Sequence, residues 1–227
     1  MMQSFLTPDK LYFKQGCLPV ALRELAEVYH ASRVLIVTDD AKRLQKALAL
    51  VTNALYELGL DYAVNNESFA ADAVIGFGYV QALDRAAVLA GGKTFIAIPV
   101  SAGWQMSAAA WRNADMVILD EDVCVPVPVQ EMRIHIAQTA RASLVGANPS
   151  DYTLSLSVQA LRILFDKTPA VSALLHASAM AQLAYTAARA DEFPADAPNL
   201  FPDAADALGM TVEELETKIN CAVDPAL

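Results

Sequence analysis

The stretch VIGFGYVQALDRAA, residues 74–87, has the pattern of a β-strand that runs into an α-helix. Its apolar run ends at Gly78, and apolar residues then recur at helical spacing. In nucleotide-binding α/β proteins such a turn is rich in glycine, because the backbone must approach a phosphate. Here the turn reads Gly78, Tyr79, Val80 and Gln81. The sequence therefore keeps the outline of a phosphate-binding turn without its composition.

The flanking segments alternate between strand and helix patterns. The strand patterns are mostly continuous apolar runs, as expected for strands that are covered on both faces. We predict strands at 33–40, 60–64, 72–78, 93–100 and 115–120, and helices at 17–30, 41–58 and 81–90. This alternation predicts an α/β N-terminal domain with a mostly parallel, Rossmann-like sheet and helices on both faces.

The pattern changes near residue 123. The segment CVPVPV, residues 124–129, holds two prolines, which neither a helix interior nor a central strand accommodates. Beyond it we predict helices at 130–146, 150–167, 169–189 and 211–220, with a Pro- and Asp-rich loop over 191–203 and with Thr211 as an N-cap. The sequence thus predicts an α/β domain at 1–123 and an all-helical C-terminal domain at 124–227.

Composition and charge restrict the class of protein. The chain has 227 residues, of which 55% are hydrophobic and 19% are charged, and its formal net charge is −10. This composition is typical of a packed globular protein, and the acidity argues against nucleic acid and anionic membranes as partners. The three cysteines form no CxxC pair and the N-terminus has no secretory pattern, so we expect a reducing, cytoplasmic location.

One uncharged segment, residues 168–188, is long enough to span a bilayer. It contains His176, Gln182 and several hydroxyl groups, and it is rich in Ala rather than Leu. We therefore predict a helix that is buried among other helices.

Four segments, in order, resemble the iron-containing alcohol dehydrogenases, particularly the alcohol dehydrogenase part of bifunctional aldehyde-alcohol dehydrogenases. LYFKQGCLPVALRELA with RVLIVTD resembles the opening of that family, DAVIGFG and LDRAA its GGGSxxDxAK turn, FIAIPVSAG its IPTTxGTGSE segment, and DMVILDEDV its VxDP strand. The resemblance implies a dehydroquinate synthase-like fold, whose α/β domain binds NAD(P) and whose helical domain binds iron or zinc. It also implies hydride transfer between an alcohol and an aldehyde or ketone.

The resemblance also implies where a cofactor would bind, and the chain departs from the family there. The implied and vestigial cofactor positions are Asp39, Gly76, Gly78, Asp84, Ser101 and Gly103. Tyr79 and Val80 replace glycines of the turn, Ala87 replaces its Lys, and the GTGSE segment falls on Gly103, Trp104, Gln105, Met106 and Ser107. We predict that Tyr79, Val80 or Trp104 fills the phosphate space.

Four of these positions have a second interpretation from the residues alone. The glycines at 76, 78 and 103 also suit close packing of a helix on a strand. Asp39, with Asp40, also suits the N-cap of the helix predicted at 41–58. An acid at the end of this strand can equally accept hydrogen bonds from an adenosine ribose, so both interpretations stay open.

The metal ligands that the resemblance implies are not matched. In the register that aligns RIHIAQTARASLV with the family, the Asp ligand falls on His135 and the first His ligand falls on Thr139. The segment that carries the two later His ligands has no counterpart, and His176 has no carboxylate at helical spacing. We therefore predict no metal site and no bound transition metal.

Three functions remain open. The first is a shortened, catalytically degenerate relative that lacks a cofactor and assembles as a homo-oligomer or with a full-length alcohol dehydrogenase. The second is an NAD(P)-dependent alcohol or aldehyde oxidoreductase whose altered cofactor site survives. The third is a small-ligand binding protein that uses a cleft between the domains. The loss of both the ligands and the glycines favours the first.

Overall fold

The computed structural model describes residues 8–39, 42, 44–100, 114–124, 128–146, 150–188 and 199–224. The chain divides into two compact units, of which one contains the described residues 8–124 and the other contains 128–224.

The first unit is a parallel α/β unit. Its described strands are β1 Lys10–Phe13, β2 Arg33–Val37, β3 Asp61–Val64, β4 Ala73–Gly78, β5 Thr94–Pro99 and β6 Met116–Leu119. They form one parallel sheet in the order β1-β6-β5-β4-β2-β3. The helices are α1 Leu18–Glu27, α2 Gln45–Glu57 and α3 Val80–Ala90. The predicted parallel sheet with intervening helices is confirmed.

Both faces of the central strands are covered, as the continuous apolar runs predict. Every residue of β4 is buried. On one face, Ile75 and Phe77 join a cluster with residues of α1 and α2. On the other face, Gly76 lies against Leu83 and Ala86 of α3. Neighbouring residues of a strand point to opposite faces, so Ile75 and Phe77 face α1 and α2 while Gly76 faces α3. The hydrophobic cluster of this unit lies between the sheet and the pair α1 and α2.

The strand order reverses between β2 and β4. Strand β2 leads through α2 to β3 at one edge, whereas β4 leads through α3 to β5 in the opposite direction. Such a reversal leaves a crevice at the carboxyl ends of the two strands, where ligands of open α/β sheets bind. The crevice lies beside Asp39 and Gly78, which follow β2 and end β4.

Strand β1 was not predicted, and several boundaries were predicted wrongly, among them those of β2 and α2. β1 pairs in parallel with β6 at the edge of the sheet, and its four residues are mostly half-buried, so they carry no continuous apolar run. β2 ends at Val37 rather than at residue 40. α2 begins at Gln45 rather than at residue 41, and its N-cap residue is Leu44.

A buried carboxylate ties α1 to the sheet. Asp120, which is 1% exposed and follows β6, accepts hydrogen bonds from the backbone N–H groups of Gly16 and Leu18, each at 2.8 Å. It also accepts one from the backbone N–H of Asp122 at 3.0 Å. These contacts fix the start of α1 against the carboxyl edge of the sheet.

The second unit is helical in its described residues. Its helices are α4 Val129–Leu144, α5 Asp151–Leu164, α6 Val171–Ala187, α7 Phe201–Leu208 and α8 Val212–Val223. Thr211 is the N-cap of α8, as predicted, and it forms a capping box with Glu214. The loop predicted over 191–203 is wrong at its end, because residues 201–203 form the first turn of α7, where Pro202 is well tolerated. Residues 191–198 lie outside the described residues.

The uncharged segment 168–188 forms α6, and most of its residues are buried, as predicted. Among the helices that the structure describes, none combines the length and the hydropathy needed to cross a membrane.

Candidate functional site

The site lies in the first unit, at the crevice between the carboxyl ends of β2 and β4. Asp39 enters it from β2, and Gly78 and Tyr79 enter it from β4. Tyr79 is the N-cap residue of α3, and its own side chain does not cap that helix. A helix N-terminus in this position favours an anion.

Asp39 bridges the crevice. Its Oδ2 atom accepts a hydrogen bond from the backbone N–H of Tyr79, and the two atoms are 2.8 Å apart. The interpretation of Asp39 as the N-cap of α2 is wrong, because Leu44 occupies that position. The carboxylate instead lies beside the N-terminus of α3, where the helix dipole stabilises a negative charge. The protein's own anion therefore occupies part of the space that a ligand phosphate would approach.

The glycine at 78 is required by this arrangement. Gly78 has φ +149°, and a Cβ atom added to it would lie 2.9 Å from Asp39 Oδ2 and 3.1 Å from Ala82 Cβ. A side chain at this position would be strained by its backbone conformation and would displace the carboxylate. Gly78 and Asp39 are thus geometrically dependent on each other.

The glycine at 76 has a packing reason. A Cβ atom on Gly76 would lie 2.9 Å from Ala86 Cβ and 3.2 Å from Leu83 Cα. Glycine thus lets α3 approach β4 closely, which accounts for its presence without a ligand. A cofactor-binding role for Gly76 and Gly78 stays a prediction.

Other predicted site residues are distributed as follows. Asp84 lies half-buried in α3. Tyr79 is half-buried and packs against the core cluster that α1 and α2 share with the sheet, and Val80 is half-buried at the start of α3. Ser101, Gly103 and Trp104 lie outside the described residues. The blocking of the phosphate space by Tyr79, Val80 or Trp104 stays a prediction.

The sequence analysis missed Asn65, which follows β3. Its side-chain Oδ1 accepts from the Thr38 backbone N–H at 2.9 Å, and its Nδ2 donates to the Thr38 carbonyl oxygen at 2.9 Å. Its own backbone N–H donates to the Ile36 carbonyl oxygen at 2.8 Å. The available signal was an Asn directly after a strand, where the residue tolerates a left-handed backbone, and here its φ is +50°.

A cation lies on the α3 side of the same site. Arg85 Nη2 donates to Asn65 Oδ1 at 3.5 Å, and Arg85 Nε lies 3.2 Å from Glu67 Oε1. The side chains of Arg85 and Glu67 are 46% and 55% exposed, so this ion pair contributes little to stability.

The second unit does not assemble the implied metal ligands. His135 is 5% exposed, its Nε2 lies 3.4 Å from Thr139 Oγ1, and its Nδ1 has no hydrogen-bond partner among the residues that the structure describes. Burial lowers the pKa of His135 to about 4, so the ring is neutral at pH 7. His176 is exposed on α6. Within the described ranges, no group of three or more His, Cys, Asp or Glu side chains is placed to hold a metal ion, so these residues do not fit an iron or zinc site.

The cysteines offer no activated thiol in the described site. Cys17 is buried and Cys124 is half-buried, and burial raises the pKa of both thiols, that of Cys124 to about 12. Thiols of this kind are protonated at pH 7 and are poor nucleophiles.

Known proteins are similar to this chain in structure. No family model matches the sequence, and neither does any curated protein. A 1,3-propanediol oxidoreductase superposes with a TM-score of 0.74 at 15% identity, over 99% of this chain and 86% of the other. The iron-containing alcohol dehydrogenase from Thermococcus thioreducens gives 0.73 at 14% identity, over 96% and 84%.

The fold is that of the iron-containing alcohol dehydrogenases. A third neighbour with this fold, sulfoacetaldehyde reductase from Bifidobacterium kashiwanohense in complex with NAD+, superposes with a TM-score of 0.68 at 12% identity, over 96% of this chain and 86% of the other. The resemblance inferred from the four segments is therefore confirmed at the level of the fold. At such identities the iron-containing alcohol dehydrogenase fold carries no assignment of activity.

Proposed function

We propose that this chain is a catalytically degenerate protein with the iron-containing alcohol dehydrogenase fold, which binds neither a dinucleotide nor a catalytic metal and acts by assembly. The observation that carries the proposal is the hydrogen bond from Tyr79 N–H to Asp39 Oδ2. A dinucleotide pyrophosphate at the N-terminus of α3 would meet a carboxylate of the same charge, and the nearest amide already has an acceptor.

The composition of the turn supports the same conclusion. Backbone can approach a phosphate closely where glycines carry no Cβ atom, but Tyr79 and Val80 follow Gly78 in this turn. Val80 is also stiff at χ1, so its side chain cannot turn aside freely.

The helical unit supports the loss of metal chemistry. The register of the family places His135 and Thr139 where two ligands would lie, and His135 Nε2 is paired with the Thr139 hydroxyl. A Thr hydroxyl is a poor ligand for iron or zinc beside a buried, neutral imidazole. Without a metal and a nicotinamide, the chain has no source of the hydride transfer that this fold supports elsewhere.

The outward face of α2 supports assembly. Lys46, Leu50, Asn53 and Glu57 follow one another at helical spacing on this face, and Leu50 is 43% exposed. Tyr56 beside them is 79% exposed. The face is thus unusually poor in charge for an exposed helix, apart from a cation at one end and an anion at the other.

These end charges favour a second copy of the chain as the partner. An antiparallel α2 related by a two-fold axis would place Lys46 opposite Glu57 of the partner and Glu57 opposite its Lys46, because two-fold interfaces are self-complementary. Neither residue forms an ion pair within the part of the chain that the structure describes. A full-length alcohol dehydrogenase as the partner is the other outcome of the assembly test.

One observation favours a second candidate, an NAD(P)-dependent alcohol or aldehyde oxidoreductase with an altered cofactor site. Asp39 follows β2 at the switch point, where an acid accepts hydrogen bonds from an adenosine ribose in dinucleotide-binding folds. Its Oδ2 is taken by Tyr79 N–H in the present arrangement, so this candidate requires the carboxylate to rotate away.

The two candidates are distinguished by metal loading and turnover. The purified protein is incubated anaerobically with Fe(II) or Zn(II), desalted, analysed for metal, and assayed for NADH and NADPH oxidation with short aldehydes and ketones. We expect substoichiometric metal and no turnover. Stoichiometric metal together with turnover that EDTA abolishes would establish the oxidoreductase and overturn the proposal.

A further inference from the structure

We propose that Asn65 is a positioning residue, which holds the Asp39 carboxylate across the crevice between β2 and β4 and so closes the N-terminus of α3 to anions. This inference rests on the proposed function, since it names the residue that maintains the exclusion of phosphate. Asn65 acts through the backbone of Thr38, which directly precedes Asp39.

The Asn65 side chain holds the two peptide groups on either side of Thr38. The Thr38 carbonyl oxygen accepts from Asn65 Nδ2, and this oxygen belongs to the planar peptide group that joins Thr38 to Asp39. The Thr38 N–H donates to Asn65 Oδ1, so the preceding peptide group is held as well. With both planes held, the N and Cα atoms of Asp39 stay in place beside the N-terminus of α3, where its carboxylate accepts from the Tyr79 N–H.

These two hydrogen bonds support a segment that the strand no longer holds, because β2 ends before Thr38. Its last residue is Val37, so Thr38 and Asp39 lie beyond the strand that holds the preceding residues. Asn65 replaces that support from β3, and its own backbone N–H bonds the Ile36 carbonyl oxygen. Three strands are therefore joined at their carboxyl ends, β3 to β2 by Asn65 and β2 to β4 by Asp39.

The chemistry of the amide side chain suits the role. Asn is one of the few residues that donates and accepts at the same time with a short side chain, and it tolerates the observed φ of +50°. Gly at this position would keep the backbone conformation and remove both side-chain bonds. Asp would keep the size and the φ tolerance, remove the donor to Thr38 and add a negative charge near Asp39.

The first test measures the Tyr79 amide by NMR. In the native protein we expect this N–H to be shifted downfield and protected from exchange. In Asn65→Gly the downfield shift should be lost, and exchange should quicken about tenfold, as expected for the loss of one charge-assisted bond. Asp39→Ala serves as the reference for complete loss.

A matched control lies at the amino ends of the same two strands, β2 and β4. Asp72 accepts from the backbone N–H groups of Ser32 and Arg33, each at 3.0 Å. These amides should keep their shifts and protection in Asn65→Gly. If they move together with Tyr79, Asn65 is a general structural residue and the positioning role is overturned.

Two further results decide the inference. If the Tyr79 amide of Asn65→Gly behaves as in the native protein while Asp39→Ala loses its shift, Asn65 does not position Asp39, and the proposed function is unaffected. If Asn65→Gly does not fold, Asn65→Asp is measured in the same way with the same expected loss. As a second readout, inorganic pyrophosphate at 5 mM, about the scale of weak anion binding, should perturb the first amides of α3 in Asn65→Gly but not in the native protein. Pyrophosphate that perturbs the native amides equally would overturn the closure of the site itself.

Discussion

The carboxylate of Asp39 accepts a hydrogen bond from the backbone N–H of Tyr79 across the point where the strand order of the sheet reverses. In open α/β sheets this is where ligands bind, so the contact places a negative side chain in the usual position of a bound anion. The proposed exclusion of dinucleotides follows from this contact and from the side chains of the turn.

Restoring glycines to the turn tests its steric part. We expect the double substitution Tyr79→Gly and Val80→Gly to raise the affinity for NAD+ relative to the native protein, because the first amides of α3 become accessible to a phosphate. The affinity is measured by isothermal titration calorimetry. Native protein that already binds NAD+ as tightly as the double variant would refute steric blocking.

Besides tighter binding by the variant and equal binding by both proteins, the comparison of native protein with the Tyr79→Gly and Val80→Gly variant has a third outcome. If neither protein binds NAD+, the substitutions at Ala87 and at Trp104 to Ser107 contribute at least as much as the turn. A Tyr56→Gly and Val88→Gly variant, which alters two residues of α2 and α3 that are each 79% exposed and lie away from the turn, controls for added flexibility.

Because α3 packs closely on β4, we expect Gly76→Ala to lower the free energy of unfolding. The added Cβ atom would lie 2.9 Å from Ala86 Cβ, and overpacking of this kind destabilises a protein by about 1–3 kcal/mol. The free energy of unfolding is measured by urea denaturation. Combining Gly76→Ala with Ala86→Gly should recover part of the loss, whereas strictly additive losses would show that the two positions do not meet.

Removing the Asp120 carboxylate should loosen α1. Three backbone N–H groups donate to it, and a hydrogen bond to a charged group contributes about 1.5–3 kcal/mol. We expect Asp120→Ala to lower the free energy of unfolding by more than about 3 kcal/mol. Asp122→Ala is the control, because Asp122 is exposed and bonds Gln15 at the surface. Equal losses from the two substitutions would contradict the structural role of Asp120.

The helical unit should lose stability in acid through His135. Its pKa falls from 6.5 to about 4 on burial, so the unfolded chain takes up the proton first as the pH is lowered. The contribution of neutral His135 is therefore present above about pH 6.5 and is lost progressively toward pH 4, with a total of about 3 kcal/mol.

The variant His135→Leu isolates this effect. Between pH 7 and pH 4, its free energy of unfolding should fall less steeply than that of the native protein. Identical slopes for the native protein and His135→Leu would show that the buried ring does not titrate as described.

Assembly through α2 predicts a charge-swap rescue. If a second copy binds this face, Lys46→Glu and Glu57→Lys should each reduce the dimer fraction in sedimentation velocity, and the double swap should restore it. Val88→Lys, at a 79% exposed residue of α3, should have no effect. A native protein that is monomeric at all concentrations, or a dimer insensitive to both charge reversals, would exclude this interface.

Much of the fold was predictable because the signal is local. The buried strands β4, β5 and β6 are continuous apolar runs, and Gly59 and Gly91 follow helices α2 and α3 with positive φ. β1 escaped prediction because an edge strand with one Lys among four half-exposed residues resembles a loop. Apolar patterning alone distinguishes covered strands better than edge strands.

The candidate site was predictable only in part, because its contacts are distant in sequence. The sequence singled out Asp39 and Gly78 as site residues, but it left open whether Asp39 caps α2 or binds a ribose. Its actual partner is the amide of Tyr79, and the peptide before it is held by Asn65 from a different strand. Such contacts depend on the strand order, which places β2 beside β4 and β3, and no local pattern encodes them.

The most direct test of the account is the affinity of the native protein for NAD+ and NADP+, measured by calorimetry at physiological salt and compared with Asp39→Gly. The account predicts no saturable binding to the native protein up to about 1 mM, which corresponds to a binding free energy weaker than about −4 kcal/mol. Asp39→Gly should bind at least as well as the native protein. A native dissociation constant in the micromolar range would contradict the exclusion of dinucleotides by this site.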